Sequence, residues 1–356
     1  MLINSDLKKI LGQLFLIGFD GTSLPDEVIN MLEQGNVAGV ILFKRNMVSV
    51  EQVAELNKQI YSACNNNAVY PFIAVDQEGG RVSRIPEPFL QCGPFSKLGK
   101  TKSKKLACKL GCAIGKELLA LGFNLNFAPV LDVATNPINP VIGDRALSND
   151  VAVVSELGCA FAEGLENSGI IACGKHFPGH GDTTQDSHYA LPILQHDIAR
   201  LEAIELKPFV AAITKQISAL MTAHVIYTEL DTQNPATLSK QIVTQILRKK
   251  LGFNGVIFSD DLEMAAVAAF NDPGEIAVKA LVAGVDVLLF CHNFQFVEQA
   301  KEAIKKAISD KRLPLSRVTE AATRVLNLKQ KLQQPTWKLD NVGKAEHKKL
   351  LKEIGK

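Results

Sequence analysis

The segment Lys175-His-Phe-Pro-Gly-His-Gly-Asp-Thr-Thr-Gln-Asp-Ser-His188 places three histidines and two aspartates within 14 positions. Imidazoles beside carboxylates can move protons near neutral pH, or they can hold a divalent metal ion. Spacing separates the two uses. His176 and His180 are four apart, the interval of a helix-borne zinc pair, but Pro178, Gly179 and Gly181 break any helix here. Phe177 also stands where that motif needs a glutamate. A zinc site built on a loop stays open. Asp186-Ser187-His188 reads differently: a carboxylate two residues before an imidazole can bond one ring nitrogen and leave the other for proton transfer. A plain surface contact between Asp186 and His188 is the alternative.

A second element is Gly255-Val-Ile-Phe-Ser-Asp260-Asp261-Leu, an apolar run that ends in adjacent carboxylates, with Glu263 close behind. Neighbouring residues on a strand point to opposite sides, so one of the two aspartates is expected to face inward. An inward carboxylate can attack an anomeric carbon, and its neighbour can bond backbone or cap the next helix. Further polar groups follow other apolar runs: Asp76-Gln-Glu-Gly-Gly-Arg81, Asp132, Lys175-His176 and His224.

The elements that must position these groups are short and regularly spaced. Apolar runs at 13–19, 37–43, 72–76, 124–133, 170–176, 219–226, 255–259 and 285–291 are nearly continuous in Val, Ile, Leu, Phe and Ala. That pattern suits parallel strands buried on both faces. Helical periodicity fills the gaps at 25–34, 50–64, 103–121, 151–167, 198–214, 240–250 and around 274–283, then from 296 onward. Eight strand–helix alternations predict an α/β fold, a single-domain (β/α)8 TIM-type barrel over residues 1–330. In such a barrel the polar groups at the C-terminal strand ends converge on one mouth. A doubly wound open sheet is the competing arrangement, and the absence of Gly-x-Gly-x-x-Gly after the first run weakens a dinucleotide-binding version of it.

Composition narrows the function classes. The 47% hydrophobic content supplies a large core, and a net charge of +2 gives no global signal for nucleic acid or an anionic membrane. The seven cysteines are odd in number and form no CxxC pair, which fits a reducing compartment. No apolar stretch approaches the length of a membrane span, and the N-terminal run Leu14-Phe-Leu-Ile-Gly-Phe19 has acidic flanks and no small-residue cleavage site. A cytoplasmic protein is expected, without nucleic-acid or membrane partner, and a monomer is the default. Residues 331–356, rich in lysine interleaved with Asp340, Glu346 and Glu353, read as a basic, solvated helical tail.

The chain resembles glycoside hydrolase family 3, and within it the β-N-acetylglucosaminidases of bacterial cell-wall recycling. The resemblance rests on Val75-Asp76-Gln-Glu-Gly-Gly-Arg81-Val-Ser-Arg84, Phe127-Ala-Pro-Val-Leu-Asp132, Gly143-Asp-Arg145, residues 175–188 and Phe258-Ser-Asp260-Asp261. It implies Asp260 as nucleophile of a covalent, retaining mechanism and His188 as general acid/base with Asp186 as its partner. It also implies that Asp76 grips the far edge of the terminal sugar, making the enzyme exo-acting. Arg84, Arg145, Lys175 and His176 would hold the remaining hydroxyls and the N-acetyl group. The preference for Asp260 over Asp261 comes from the family's Ser-Asp pattern. Many relatives take their acid/base from a second domain; no length for one follows the barrel here, so the loop histidine is expected to serve. The implied substrate is a small muropeptide-type N-acetylglucosaminide, with no cofactor and no metal. The alternatives are a phosphorylase of the same family, a metal-dependent barrel hydrolase using His176 and His180, and a sugar-binding protein without turnover.

Overall fold

The computed structural model describes residues 4–64, 69–187, 191–268 and 272–355. Among these residues ten strands follow in chain order: β1 (Phe15–Ile17), β2 (Gly39–Leu42), β3 (Phe72–Val75), β4 (Leu125–Asn126), β5 (Ile171–Phe177), β6 (Ile193–Leu194), β7 (Ala219–Thr222), β8 (Ile226–Tyr227), β9 (Val256–Asp261) and β10 (Val287–Phe290). Eight of them form a closed parallel barrel in the order β1-β2-β3-β4-β5-β7-β9-β10, sealed by β1 against β10 with Leu16 opposite Leu289. The open doubly wound sheet is thereby excluded. β6 and β8 pair with each other outside the barrel.

Three of the expected elements divide. The run 219–226 is split: β7 ends at Thr222, and 226–227 pairs with β6 instead. The run 124–133 gives only the two-residue β4, after which Val130 bridges Lys175. The helical stretch 198–214 is two helices, Ile198–Ala203 and Leu206–Thr214, with Ile204 at φ −128° between them. Other helices match their periodicity closely, Val151–Asn167 without any shift of its ends.

Apolar side chains make two layers of core. One lies between strands and helices; the other fills the barrel interior with Leu16, Phe72, Leu125, Phe127, Met221 and Phe258. Phe258 meets the edges of Phe72 and Phe127 at centroid distances of 6.0 and 5.4 Å, forming an aromatic floor below the mouth. At the opposite end the buried Lys329 lies 5.0 Å from the Phe72 ring and donates to Gln13 Oε1 at 2.8 Å. Burial pushes its ammonium down to about 7.

The C-terminal segment is less solvated than its composition implies. Helix Ala345–Ile354 buries His347 and Leu350, and His347 Nδ1 lies 2.6 Å from the buried Glu117 carboxylate. Glu117 also accepts the Leu90 N–H at 2.8 Å. No helix among the described residues is long and apolar enough to cross a membrane.

β9, the strand that ends in the paired aspartates, is anchored by Asp286. This buried carboxylate accepts the Ile257 N–H at 3.0 Å and the Arg317 guanidinium at 2.6 Å, and it also pairs with Arg248 and Arg324. Replacing Asp286 by Ala leaves three crowded guanidiniums around an empty centre. The variant is expected to lose about 3–5 kcal/mol of stability, read from urea unfolding; an unchanged midpoint would show that the cluster relaxes freely.

Candidate active site

The mouth is built from the turns that follow the strands. After β3 the chain places Asp76 and Glu78, then reverses through Gly79 and Gly80, the latter at φ +56° with Pro94 so close that a Cβ would sit 2.9 Å away. Only glycine takes that conformation without strain. Glu78 is buried and receives two parallel bonds from Arg145, Nε to Oε2 at 2.9 Å and Nη2 to Oε1 at 2.8 Å. Lys175 Nζ, at the end of β5, lies 2.7 Å from Glu78 and donates to Asp76 Oδ1 at 2.6 Å. Burial pushes Glu78 up, but Arg145 and Lys175 outweigh it and hold the carboxyl well below the usual carboxylate range. Burial likewise disfavours the Lys175 cation, yet Asp76 and Glu78 together raise its pKa. Two acids and two bases thus form a neutral network.

Their ligand capacity is partly spent. Arg145 Nη1 also donates to the Val141 carbonyl at 3.1 Å, so three of its five N–H donors are engaged inside the protein. Arg84 is different: its Nε is buried and meets no hydrogen-bond partner among the described residues. An arginine N–H left in that state can donate to an oxygen of water or of a ligand.

Asp132, fully buried after β4, organises the histidines. It lies 2.7 Å from His176 Nδ1 and accepts the His180 N–H at 2.7 Å. Burial acts to raise its pKa, and the two histidines more than reverse that. Ionised Asp132 makes His176 Nδ1 the donor and leaves Nε2 for the cleft. His180 is pushed down to about 4, by burial first and by His176 second, and is neutral at physiological pH. The Thr183 hydroxyl gives its proton to the His180 carbonyl at 3.1 Å and therefore accepts from His180 Nδ1 at 2.8 Å. His180 Nε2 then accepts from the Ser187 hydroxyl at 3.0 Å. Both ring nitrogens of His180 are committed to its own loop, which disfavours the zinc pair with His176. Among the described residues no group of three His, Cys, Asp or Glu side chains could hold a metal ion.

Neighbouring turns hold this loop in place. Asn139 Nδ2 donates to the His180 carbonyl at 2.8 Å, and Asn136 Nδ2 to the Thr183 carbonyl at 3.0 Å. Gly181 packs so tightly that a Cβ would stand 1.8 Å from the Val133 carbonyl oxygen. Asp186 and Ser187 line the cleft. His188, the expected acid/base, lies outside the described residues.

At the end of β9, Ser259 turns toward β10 and accepts the Leu289 N–H at 3.0 Å. Asp260 and Asp261 both line the cleft, where alternation alone implies that one would face away. Their bonding differs. Asp261 Oδ1 accepts the Glu263 and Cys291 N–H groups at 3.1 and 3.3 Å, so this carboxyl ties β9 to β10. Burial pushes Asp261 up to about 7, and Glu263 and Asp260 add repulsion. His224, singled out in the sequence, lies 2.9 Å from the Asp261 carbonyl and supports the same strand end.

The residues Asp76, Arg84, Arg145, Lys175, His176 and Asp260 all border one cleft of about 300 Å³ at the C-terminal mouth of the barrel. Glu78 and Asp132 were not assigned individual roles from sequence, and His180 was weighed only as a zinc ligand beside His176. The signal available for Glu78 was its place two residues beyond Asp76 on the same strand end.

Strand-end carboxylates in a polar cleft at the mouth of a closed parallel barrel are an arrangement that glycoside hydrolases of the barrel type can use. The chain belongs to glycosyl hydrolase family 3, whose N-terminal domain matches residues 6–328. It is 36% identical over 363 residues to beta-hexosaminidase A of Pseudoalteromonas piscicida, an alignment covering 94% of this chain and 60% of that protein. The chain therefore spans about three fifths of the length of that relative. The family 3 β-N-acetylglucosaminidase of Paenibacillus sp. superposes with a TM-score of 0.92 at 36% identity, covering 98% of this chain and 68% of the other. NagZ of Neisseria gonorrhoeae, solved with N-trifluoroacetyl-D-glucosamine, superposes with a TM-score of 0.82 at 30% identity, covering 97% of both chains.

The raised pKa of Asp261 has a stability signature. Between its unfolded value of 3.8 and its folded value of about 7 the native state binds more protons, so this group's contribution falls as pH rises. His180, depressed from 6.5 to about 4, acts oppositely, its contribution being lost as pH falls through the same range. Asp261→Asn keeps an acceptor oxygen and removes only the first effect. The melting temperature of the variant relative to wild type is expected to climb from pH 4 to 7 and then level off. A pH-independent difference would contradict the assignment.

Proposed function

We propose that the chain is an exo-acting, retaining β-N-acetylglucosaminidase that releases terminal N-acetylglucosamine from muropeptide-type glycosides. The substrate is N-acetylglucosaminyl-1,6-anhydro-N-acetylmuramic acid, with or without peptide, taken in cytoplasmic peptidoglycan recycling. The observation that carries this reading is a single cleft with Asp260 on β9 and, four strands away around the ring, Asp76 with its Lys175–Glu78–Arg145 network. The cavity is at the small end of the roughly 300–1,000 Å³ range of ligand pockets, which suits one sugar ring. The names of the Paenibacillus and Neisseria relatives support the N-acetylated sugar.

In this mechanism Asp260 attacks C1 while His188 protonates the departing oxygen, and His188 then takes a proton from the incoming water. Asp186 positions the imidazole. Asp76, Lys175 and Arg84 bind hydroxyls, and His176 offers Nε2 toward the ring substituents. No step requires a metal ion.

The reading is tested by substrate preference. Para-nitrophenyl N-acetyl-β-glucosaminide is expected to be cleaved with at least about 100-fold higher kcat/KM than the glucoside, an unpaired polar site disfavouring the sugar that lacks the amide. Similar efficiencies on both would refute it.

The catalytic roles are tested separately. Asp260→Asn is expected to abolish both glycosylation of the enzyme and turnover. His188→Ala should retain far more activity on a dinitrophenyl glycoside, whose leaving group departs without protonation, than on a disaccharide, and its glycosyl-enzyme should accumulate because water attack lacks a base. Fluorosugar labelling found on Asp261, or equal slowing of good and poor leaving groups by His188→Ala, would overturn the assignment.

A further inference from the structure

The β10–β1–β2 side of the cleft carries a built aromatic rim with no role in the steps above. Phe43, directly after β2, and His292, after β10, both line the cleft, with ring centroids 6.2 Å apart and planes within 16°. Two independent anchors hold them. The Arg45 guanidinium lies over the Phe43 ring at 4.6 Å, donates to the Phe19 carbonyl at 3.1 Å and to the Cys291 carbonyl, and pairs with Asp20. It thereby fastens the turn after β2 to those after β1 and β10. On the other side the Glu263 carboxylate accepts the His292 N–H at 2.6 Å and the Asn293 N–H at 2.9 Å, binding the turn after β10 to the end of β9. Yet the His292 side chain itself remains 61% exposed. A ring so carefully backed and left open to solvent presents a flat face for a ligand.

Position indicates which part of a ligand. A terminal sugar gripped at its far edge by Asp76 on β3 must reach across the barrel axis to bring C1 to Asp260 on β9. C1 then lies at the β9 side of the cleft, beside this rim, and the leaving group departs from the face of C1 opposite Asp260. Pyranose rings expose apolar C–H faces that stack on aromatic rings. We propose that Phe43 and His292 form the leaving-group subsite, a platform for the sugar ring that departs, and that they set the preference for a disaccharide-type substrate. This rests on the reading of the chain as an exo-acting N-acetylglucosaminidase.

The test compares a substrate that occupies both positions with a ligand that occupies one. N,N′-diacetylchitobiose places a second ring on the rim; free N-acetylglucosamine, as competitive inhibitor, fills only the terminal-sugar position. Phe43→Ala and His292→Ala are expected to lower kcat/KM on the disaccharide about five- to tenfold each, chiefly through KM, the scale of one lost stacking contact. The inhibition constant of N-acetylglucosamine should stay within about twofold, and His292→Phe should restore the disaccharide activity. Should Phe43→Ala fold poorly, the exposed His292→Ala decides alone, its fold checked by thermal melting. Unchanged kcat/KM on the disaccharide would overturn the platform. Equal weakening of the disaccharide and of the free sugar would overturn it too, assigning the rings to the terminal-sugar pocket. Wild-type enzyme inert toward both the disaccharide and the chromogenic N-acetylglucosaminide would instead refute the parent reading.

Discussion

Glu78 is a carboxylate with no access to water, and a charge in that position survives only if cations are delivered to it in good geometry. Arg145 arrives as a fork from the turn after β4, and Lys175 as a point charge from the end of β5. Because Lys175 also holds Asp76, the ends of β3 and β5 and the intervening turn cannot shift independently. The network is itself electrically neutral and ties one side of the mouth together. A lysine without these carboxylates would lose its charge to burial; Lys329 at the opposite end of the barrel, bonded only to Gln13 among the described residues, shows the direction of that effect.

The alternation of strands and helices was legible because each barrel strand is buried on both faces and leaves a continuous apolar run. The same property hides where a strand ends. Residues 219–226 look uniform, yet Thr222 and His224 turn to bond Thr237 and the chain leaves the barrel between them. The site was legible as a set of polar strand ends, but its wiring was not. Arg145 and Glu78 are 67 residues apart, Lys175 and Asp76 are 99 apart, and spacing carries no information at that range. His180 looked like a metal ligand because its partners, Thr183 and Ser187, are residue types that serve equally well as loop filler. The lysine-rich tail looked solvated because its buried side chains, Val342, His347 and Leu350, are a small part of its composition.

The two aspartates at the end of β9 show how one strand end can supply a single negative charge from two carboxyls. Both border the cleft, so side-chain direction does not distinguish them. Surroundings do. Asp261 receives two backbone N–H groups, which favours its charge, but burial and the closeness of Glu263 and Asp260 prevail and bring its pKa to about 7. At neutral pH it therefore carries a proton for a large part of the time. In the proposed reaction positive charge develops at C1 and must be met by a nearby anion. With the Asp76–Lys175–Glu78–Arg145 network neutral and the Asp132 carboxylate engaged by its bonds to His176 and His180, that counter-charge falls, on the proposed reading, to Asp260. Asp261 can then hold β9 against β10 without competing for the reacting carbon, which is why adjacent carboxyls on one strand need not be redundant.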